Sequence, residues 1–108
     1  MPPRPAAPLP RSAYLVLLAL ADRPRHGLAI IDRVEQATHG RMKMGPGTLY
    51  GTLQKLEASG LIRETADAPD PDDDDTRRRY YRITTRGERA LAEETVSLRV
   101  LVDAAARR

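Results

Sequence analysis

The feature that most limits the fold is a helical segment bounded by glycine at both ends and followed at once by two strand patterns. Gly45-Pro46-Gly47 begins it, because proline suits the first turn of a helix, and Gly60 ends it. Three leucines recur within it at helical spacing and form a buried stripe: Leu49, Leu53 and Leu56. We therefore predict a helix from about Gly45 to Ser59.

The two segments that follow have the composition of a β-hairpin. Leu61 to Thr65 predicts one strand and Arg79 to Thr84 a second, because both are rich in β-branched or aromatic residues. The Pro/Asp-rich stretch between them, about residues 66–78, has the residues of a turn. Side-chain alternation puts Tyr81 on the core side with Ile83, and Tyr80 on the other side with Arg78 and Arg82.

Two further helices precede this unit. Ser12 is expected to cap the first, whose body AYLVLLALA is apolar nearly all round and ends before Pro24. His26-Gly27 opens the second, and Gly40 is placed to stop it in a left-handed conformation. The alternation in Arg41-Met42-Lys43-Met44 predicts a short strand or an extended connector.

The last helix is predicted from a threonine cap at Thr84 or Thr85 to about Ala106. One near-heptad seam consists of Leu91, Thr95, Leu98, Val102 and Ala105, and a second apolar side carries Val96, Val100 and Ala104. One face suffices to pack a terminal helix on its own domain. The second favours a homodimer, the alternative being one broad contact within the chain.

This order of elements is that of a winged helix–turn–helix, a mainly α (α+β) fold with a two-stranded wing and a long C-terminal helix. We expect a flexible proline-rich arm over residues 1–11, the DNA-binding domain over 12–84 and the dimerisation helix over 85–108.

Composition excludes several classes of protein. The chain has no cysteine, which rules out disulfides and Cys-based metal sites, and His26 and His39 lack the spacing of ligands, so no metal or cofactor is expected. No apolar run is long enough for a membrane span or an export signal, so a cytoplasmic protein is expected. Nucleophile–base sets and phosphate loops are absent, which argues against an enzyme.

The charge is distributed unevenly. Six of the fifteen acidic residues lie between Asp67 and Asp75, so nine remain against eighteen basic residues elsewhere. Such a basic body suits a polyanionic partner. The acidic run lacks the glycine and glutamate spacing of a calcium loop, and we expect it to be a solvated loop that a DNA duplex repels.

Turning the leucine stripe inward leaves a face of small and polar residues for DNA. Gln54 suits adenine edges, Lys55 suits guanine or phosphate, and Thr48 suits a phosphate at the helix start. Tyr50 either contacts a phosphate or is a core residue whose hydroxyl group reaches solvent. The candidate DNA-binding residues are Lys43, Gly47, Thr48, Tyr50, Gly51, Thr52, Gln54, Lys55, Arg77, Arg78, Arg79 and Arg82. The arginines can grip phosphates, pair with the preceding aspartates, or do both.

The stretches GTLYGTLQKLEASGLI (residues 47–62) and RRRYYRITTRGERAL (residues 77–91) resemble the PadR family of transcriptional regulators. The lead-in LVLLALADRPRHGLAIIDRVE (residues 15–35) is similar to that family's first two helices. The resemblance implies a homodimeric winged-helix repressor that binds double-stranded DNA and is released by a small molecule. A twofold dimer in turn predicts a pseudo-palindromic operator. A winged helix used for protein–protein contact, without specific DNA binding, is the alternative.

Overall fold

The computed structural model describes residues 7–66 and 78–108. Its elements follow in the order α1 (Arg11–Leu20), β1 (Arg25–His26), α2 (Gly27–Ala37), α3 (Pro46–Ala58), β2 (Ile62–Thr65), β3 (Tyr80–Ile83) and α4 (Thr85–Ala106). The expected acidic loop and Arg77 lie outside the described residues, apart from Ala66 and Arg78 at its ends.

The core is aliphatic and centres on α1, as its apolar composition predicts. Val16 and Leu17 are completely buried, and α1 contacts α2, α3, β3 and α4. The predicted stripe of α3 faces this core through Leu49, Leu53 and Leu56. Enclosure on several sides is what stabilises a helix that is apolar nearly all round.

The prediction that Ser12 caps α1 is wrong. The helix begins two residues earlier than predicted, at Arg11, with Pro10 at the N-cap and no side-chain capping bond. An extended proline immediately before a helix fixes the entry of the chain without supplying a side-chain acceptor, although the Pro10 carbonyl accepts from the Tyr14 N–H at 3.0 Å. His26, by contrast, is the N-cap of α2, and its Nδ1 accepts a hydrogen bond from the Ala29 N–H at 3.3 Å.

The C-terminal ends of α2 and α3 share one hydrogen-bond pattern. At α3 the N–H of Leu61 donates to the carbonyl of Leu56 and that of Gly60 to Glu57, with Gly60 at φ +75°. At α2 the equivalent left-handed residue is His39 (φ +52°), one residue before the predicted Gly40, which also has a positive φ. Both ends are Schellman motifs, and the second one strains a non-glycine residue.

The sheet has three strands, one more than predicted. β3 lies in the middle, antiparallel to β2 on one side and to β1 on the other, with Arg25 opposite Tyr81 and His26 opposite Tyr80. β1 escaped prediction because two residues cannot show an alternation. It explains why Tyr80, although it faces away from the core, is buried: the ring meets the His26 imidazole edge-on at 5.4 Å.

No strand forms in the connector between α2 and α3, so the extended alternative is the correct one for residues 41–44. Met44 is buried and anchors the connector to the core. Thr84 joins three elements at the other end of the domain. Its hydroxyl caps α4 by accepting from the Gly87 N–H and donates to the Gly60 carbonyl, while its own N–H donates to the Leu61 carbonyl.

The hairpin of β2 and β3 against the helices α1, α2 and α3, followed by the long α4, is a winged helix–turn–helix. The predicted fold class is confirmed, with β1 as an additional short edge strand.

Candidate nucleic-acid interface

The outward face of α3 is made of small and polar side chains, as predicted. All of the following are exposed: Gly47, Thr48, Gly51, Gln54, Lys55 and Ala58. A Cβ placed on Gly47 or Gly51 would meet no atom within 4 Å, so packing within the chain does not require either glycine. The helix backbone at these two positions is therefore open to the outside of the domain.

Thr52 does not belong to this face. It was expected beside the DNA-facing residues, but only 8% of it is exposed, and it is buried along with Leu49, Leu53 and Leu56. The reason is geometric: Thr52 lies three residues after Leu49 and four before Leu56, so it widens the buried stripe. Thr52 contacts the protein interior instead of a ligand of this face.

Tyr50 lies at the edge of the exposed face and is not a core residue. It is 57% exposed, and its hydroxyl reaches the start of α2, where a Cβ on Gly27 would come within 3.3 Å of the Tyr50 Oη. The tyrosine thus bridges α3 and α2 across the outer surface of the domain. Its hydroxyl is directed to a groove and remains close to solvent.

This groove between the start of α2, α3 and the wing has a volume of about 620 Å³. Its lining consists of His26, Gly27, Leu28, Tyr50, Arg78, Arg79 and Tyr81. The fold therefore brings together Tyr50, Arg78 and Arg79, three of the predicted residues. It adds His26, which the sequence indicated only as a cap or surface residue.

Two hydrogen-bond donors face each other in the groove. Because the Nδ1 of His26 accepts from the Ala29 N–H, the ring proton lies on Nε2. That Nε2 is 3.3 Å from Nη1 of Arg78, which is also a donor. In the tautomer that bonds Ala29, an oxygen of an anion placed beside these two nitrogens can accept a hydrogen bond from both.

Arg79 is held by the wing itself. Its Nε lies 3.5 Å from Oε1 of Glu64 on the neighbouring strand, in an exposed ion pair. Burial raises the pKa of the Tyr81 hydroxyl, the carboxylates of Glu57 and Glu64 raise it further, and Arg79 opposes them. Tyr81 consequently stays protonated, and the carboxylate of Glu64 positions the Arg79 guanidinium at the rim of the groove.

Two predicted basic residues lie away from the groove. Lys43, on the connector before α3, is exposed and pairs loosely with Glu35, at 3.8 Å. Arg82 lines a different hollow, together with Arg63 and the first turn of α4, so the fold does not bring it together with Arg78 and Arg79. The expected cluster of wing arginines is therefore divided between two surfaces.

The first half of α4 packs on its own chain. Leu91, Thr95 and Leu98 are half-buried, and the Thr95 hydroxyl donates to the Leu91 carbonyl at 2.7 Å. That hydroxyl therefore accepts the hydrogen bond from the Tyr14 hydroxyl on α1, at 2.8 Å. Part of the predicted dimer seam is thus used within the chain.

The second apolar side of α4 is uncovered. Val96 and Val100 on that side are 64% and 61% exposed, and so are Val102 of the first seam (66%) and Leu101 (64%), which neither side included. Ala104 and Ala105 are exposed as well. After Leu98 the helix runs about 12 Å further with all its residues exposed.

In residues 7–66 and 78–108 no helix is long and apolar enough to cross a membrane. The same part of the chain contains no group of three or more His, Asp or Glu side chains arranged to hold a metal ion.

Residues 16–93 match the transcriptional regulator PadR-like family. The chain is 37% identical over 86 residues to the transcriptional regulator Rv3488 of Mycobacterium tuberculosis, which covers 80% of this chain and 74% of that protein. It is 42% identical over 84 residues (78% of its length) to an uncharacterized 37.1 kDa protein in transposon TN4556 of Streptomyces fradiae, of which it spans only 22%.

Among solved structures, a PadR family transcription regulator from hypervirulent Clostridium difficile R20291 superposes with a TM-score of 0.74 at 20% identity, over 89% of this chain and 95% of that one. This likeness supports the fold. The family consists of transcriptional regulators and not of enzymes, which confirms both the predicted resemblance and the predicted class. From its family match and its relatives, the chain belongs to the PadR-like family of transcriptional regulators.

Proposed function

We propose that this regulator is a homodimeric repressor that binds a pseudo-palindromic site in double-stranded DNA in the cytoplasm and is released by a small molecule. The observation that carries the proposal is the exposed face of α3, small and polar, with a donor-lined groove at its edge. A helix of this kind fits the major groove, and the donors beside it fit the backbone.

Sequence discrimination falls to the polar side chains of α3. Gln54 can bond an adenine edge with both its amide groups, and Lys55 can donate to guanine or phosphate. Gly47 and Gly51 let the helix backbone approach the base pairs, since none of the described residues fills the space beside them. Thr48 and Lys43 add phosphate contacts at the start of the helix.

The residues of the groove between α2, α3 and the wing supply affinity for DNA. A phosphate oxygen between Nε2 of His26 and Nη1 of Arg78 accepts a hydrogen bond from each, and the Tyr50 hydroxyl lines the same groove. Arg79 contributes charge at the rim while it keeps its ion pair with Glu64. Contacts to phosphate position the protein and carry no sequence information, so these residues supply binding to every duplex.

The uncovered side of α4 supports the dimer. Val96, Val100 and Ala104 follow one another at four-residue spacing and form an apolar strip that no residue of the described chain covers, and Leu101 and Val102 are exposed on other sides of the same helix. A second copy related by a twofold axis buries the same strip on both chains. Such a dimer presents its two α3 helices about 34 Å apart, which matches successive major grooves.

For the effector we propose the hollow between α1, the end of α2 and α4, with a volume of about 850 Å³. Tyr14 is its aromatic residue, and Leu15, Met42 and Leu98 supply apolar wall. A ligand that displaces the hydrogen bond between Tyr14 and Thr95 changes how α4 sits on α1. Release from DNA then follows from a change in the angle between the two recognition helices of the dimer.

Selection of bound sequences from random DNA tests the regulator directly. We expect enrichment of a pseudo-palindrome whose half-sites lie about 10–10.5 base pairs apart. No enrichment, together with weak binding to all duplexes, would refute the proposal and support the alternative of a protein-interaction module, for which Leu28 and Tyr50 offer exposed apolar surface beside the groove.

A further inference from the structure

A second basic hollow lies on the outer face of the sheet, away from the groove beside α3. It has a volume of about 470 Å³ and is bounded by the end of α1, the turn before β1, the strands β2 and β3, and the first turn of α4. Three arginines line it: Arg23, Arg63 and Arg82. Of the candidate DNA-binding residues that the structure describes, Arg82 alone lines this hollow.

Arg63 and Arg82 lie directly opposite each other across the β2–β3 pair. Side chains so placed have Cβ atoms about 4.5–5.5 Å apart, and like charges in this position destabilise a sheet. Within residues 7–66 and 78–108 neither arginine makes an ion pair. The two guanidinium groups therefore share a hollow without a carboxylate between them.

Carboxylates near the hollow do not neutralise it. Asp22 belongs to the lining, but it is bound to Arg25 at 2.6 Å, and that ion pair holds the pKa of the Asp22 carboxyl below its usual value. Glu88, in the first turn of α4, is the other acid of the lining. Three arginines thus face one uncommitted carboxylate.

We propose that this hollow binds a ligand that carries a phosphoryl group, with Arg63 and Arg82 as its two principal donors. A planar guanidinium donates two parallel hydrogen bonds to such an anion, and two guanidinium groups on adjacent strands can hold three of its oxygens. A phosphoryl group carries a charge of about −1.5 to −2 at neutral pH, which relieves the repulsion between the arginines.

The volume of the hollow beside the arginines indicates which class of ligand fits. The volume lies in the range of small-molecule sites and exceeds what a bare phosphate fills. Leu20, Pro24 and Ile83 supply apolar wall beside the arginines. The class that fits is a phosphate monoester with a small apolar or aromatic body. This site goes beyond the proposed DNA binding, because its occupancy can be measured with no DNA present.

Binding is tested on the full chain without DNA, with phenyl phosphate and inorganic phosphate as probes and sodium chloride at matched ionic strength as the blank. We expect saturable heat of binding for phenyl phosphate in titration calorimetry and a rise in the thermal midpoint. Arg63→Gln and Arg82→Gln should each weaken binding by at least about tenfold, because each removes a charged donor pair. Arg99→Gln, which removes an exposed charge from α4, serves as the control and should bind as the wild type does.

Equal binding by the wild type and both hollow variants would overturn the proposal, and so would shifts that sodium chloride reproduces. A DNA arm distinguishes a backbone phosphate from a free ligand. Arg63→Gln should leave the affinity for the selected duplex within about twofold of the wild-type value, since Arg63 does not line the protein groove beside α3. If the variant instead loses DNA affinity and salt dependence while phenyl phosphate never binds the wild type, the arginine pair is a DNA contact and the free-ligand proposal fails.

Discussion

Gly87, in the first turn of α4, lies directly against the backbone carbonyl of Leu61. A Cβ at this position would overlap that oxygen and would also come within 2.8 Å of Cγ1 of Ile83. The start of α4 can pack on the beginning of β2 at this distance only because residue 87 has no side chain. The backbone carbonyl cannot move aside, since it already accepts the hydrogen bond from the N–H of Thr84.

Gly87→Ala is therefore expected to destabilise the fold by about 1–3 kcal/mol, the usual cost of an overpacked contact, even though alanine favours helix. Urea unfolding followed by circular dichroism measures the effect. Gly47→Ala is the matched control, because open space surrounds it. If both variants had the wild-type midpoint, the close approach of α4 to β2 would be refuted.

Gly51→Ala should separate stability from DNA binding. No atom lies within 4 Å of the added methyl group, and alanine is better than glycine inside a helix by about 0.8–1 kcal/mol. We expect a higher free energy of unfolding together with weaker binding to the selected duplex, because the helix can no longer approach the base pairs as closely. Unchanged DNA affinity would show that the backbone of α3 at Gly51 does not enter the major groove of the DNA.

Substitutions at Gln54 and at Arg78 should change DNA binding in two different ways. Gln54→Ala is expected to cost about 1–3 kcal/mol against the preferred base pair only, because a bidentate side chain discriminates between bases. Arg78→Ala is expected to weaken binding to all sequences alike and to lower the salt dependence by about one ion. Competition assays over a set of single-base operator variants measure both effects. A uniform loss of affinity for Gln54→Ala, or a base-specific loss for Arg78→Ala, would contradict the roles proposed for these two residues.

Arg25 and Asp22 give a dependence of stability on pH. Arg25 is buried and bound to the Ala19 carbonyl and to Asp22, and this hydrogen bond lowers the pKa of the Asp22 carboxyl. A lowered pKa in the folded state contributes stability above the unfolded value of about 3.9, and that stability is lost as the pH falls through the folded value.

Asp22→Asn should accordingly unfold at lower temperature than the wild type at pH 7, and the two should converge at acid pH, below about 4. Thermal unfolding over a pH series measures the difference. Asp32→Asn, on the exposed side of α2, is the control and should follow the wild type at every pH. A difference between the wild type and Asp22→Asn that stays constant with pH would refute the role of the carboxylate.

The dimer proposal is tested by Val100→Asp. Placing a charge in the centre of the exposed strip of α4 should convert the protein to a monomer at micromolar concentration, because an unpaired buried charge is costly. Light scattering after size exclusion gives the mass. Ala106→Asp adds the same charge to an exposed position about 120° round the helix from Val100, and that variant should remain dimeric. A monomeric wild-type protein would refute the proposal outright.

Most of the architecture follows from local sequence rules. The leucine spacing of α3, its proline start and its glycine end each have one physical meaning, so its bounds could be predicted within a residue. β1 could not be, because Arg25–His26 forms a strand only through its pairing with Tyr80 and Tyr81 across the sequence. The end of α2 was displaced by one residue because His39 accepts a left-handed conformation usually left to glycine.

Side-chain grouping was harder to predict than the elements. Helical periodicity identifies a face but not its width, so Thr52 was assigned to the wrong side of α3. Adjacency in sequence and strand alternation suggested one arginine cluster, yet Arg78 lies before β3 begins, and Arg82 lines a different hollow beside the first turn of α4. His26 joined the site only through a contact with Arg78, 52 positions along the chain.

Thr84 has a mechanical consequence. One residue is bonded to the carbonyl that follows α3, to the backbone at the start of the wing and to the first turn of α4. With the Thr84 carbonyl accepting from the Glu88 N–H, four hydrogen bonds fix this residue between the three elements. We therefore expect a displacement of α4 to move the C-terminal end of α3 with it, so that α4 would act as a lever arm for the helix proposed to contact DNA.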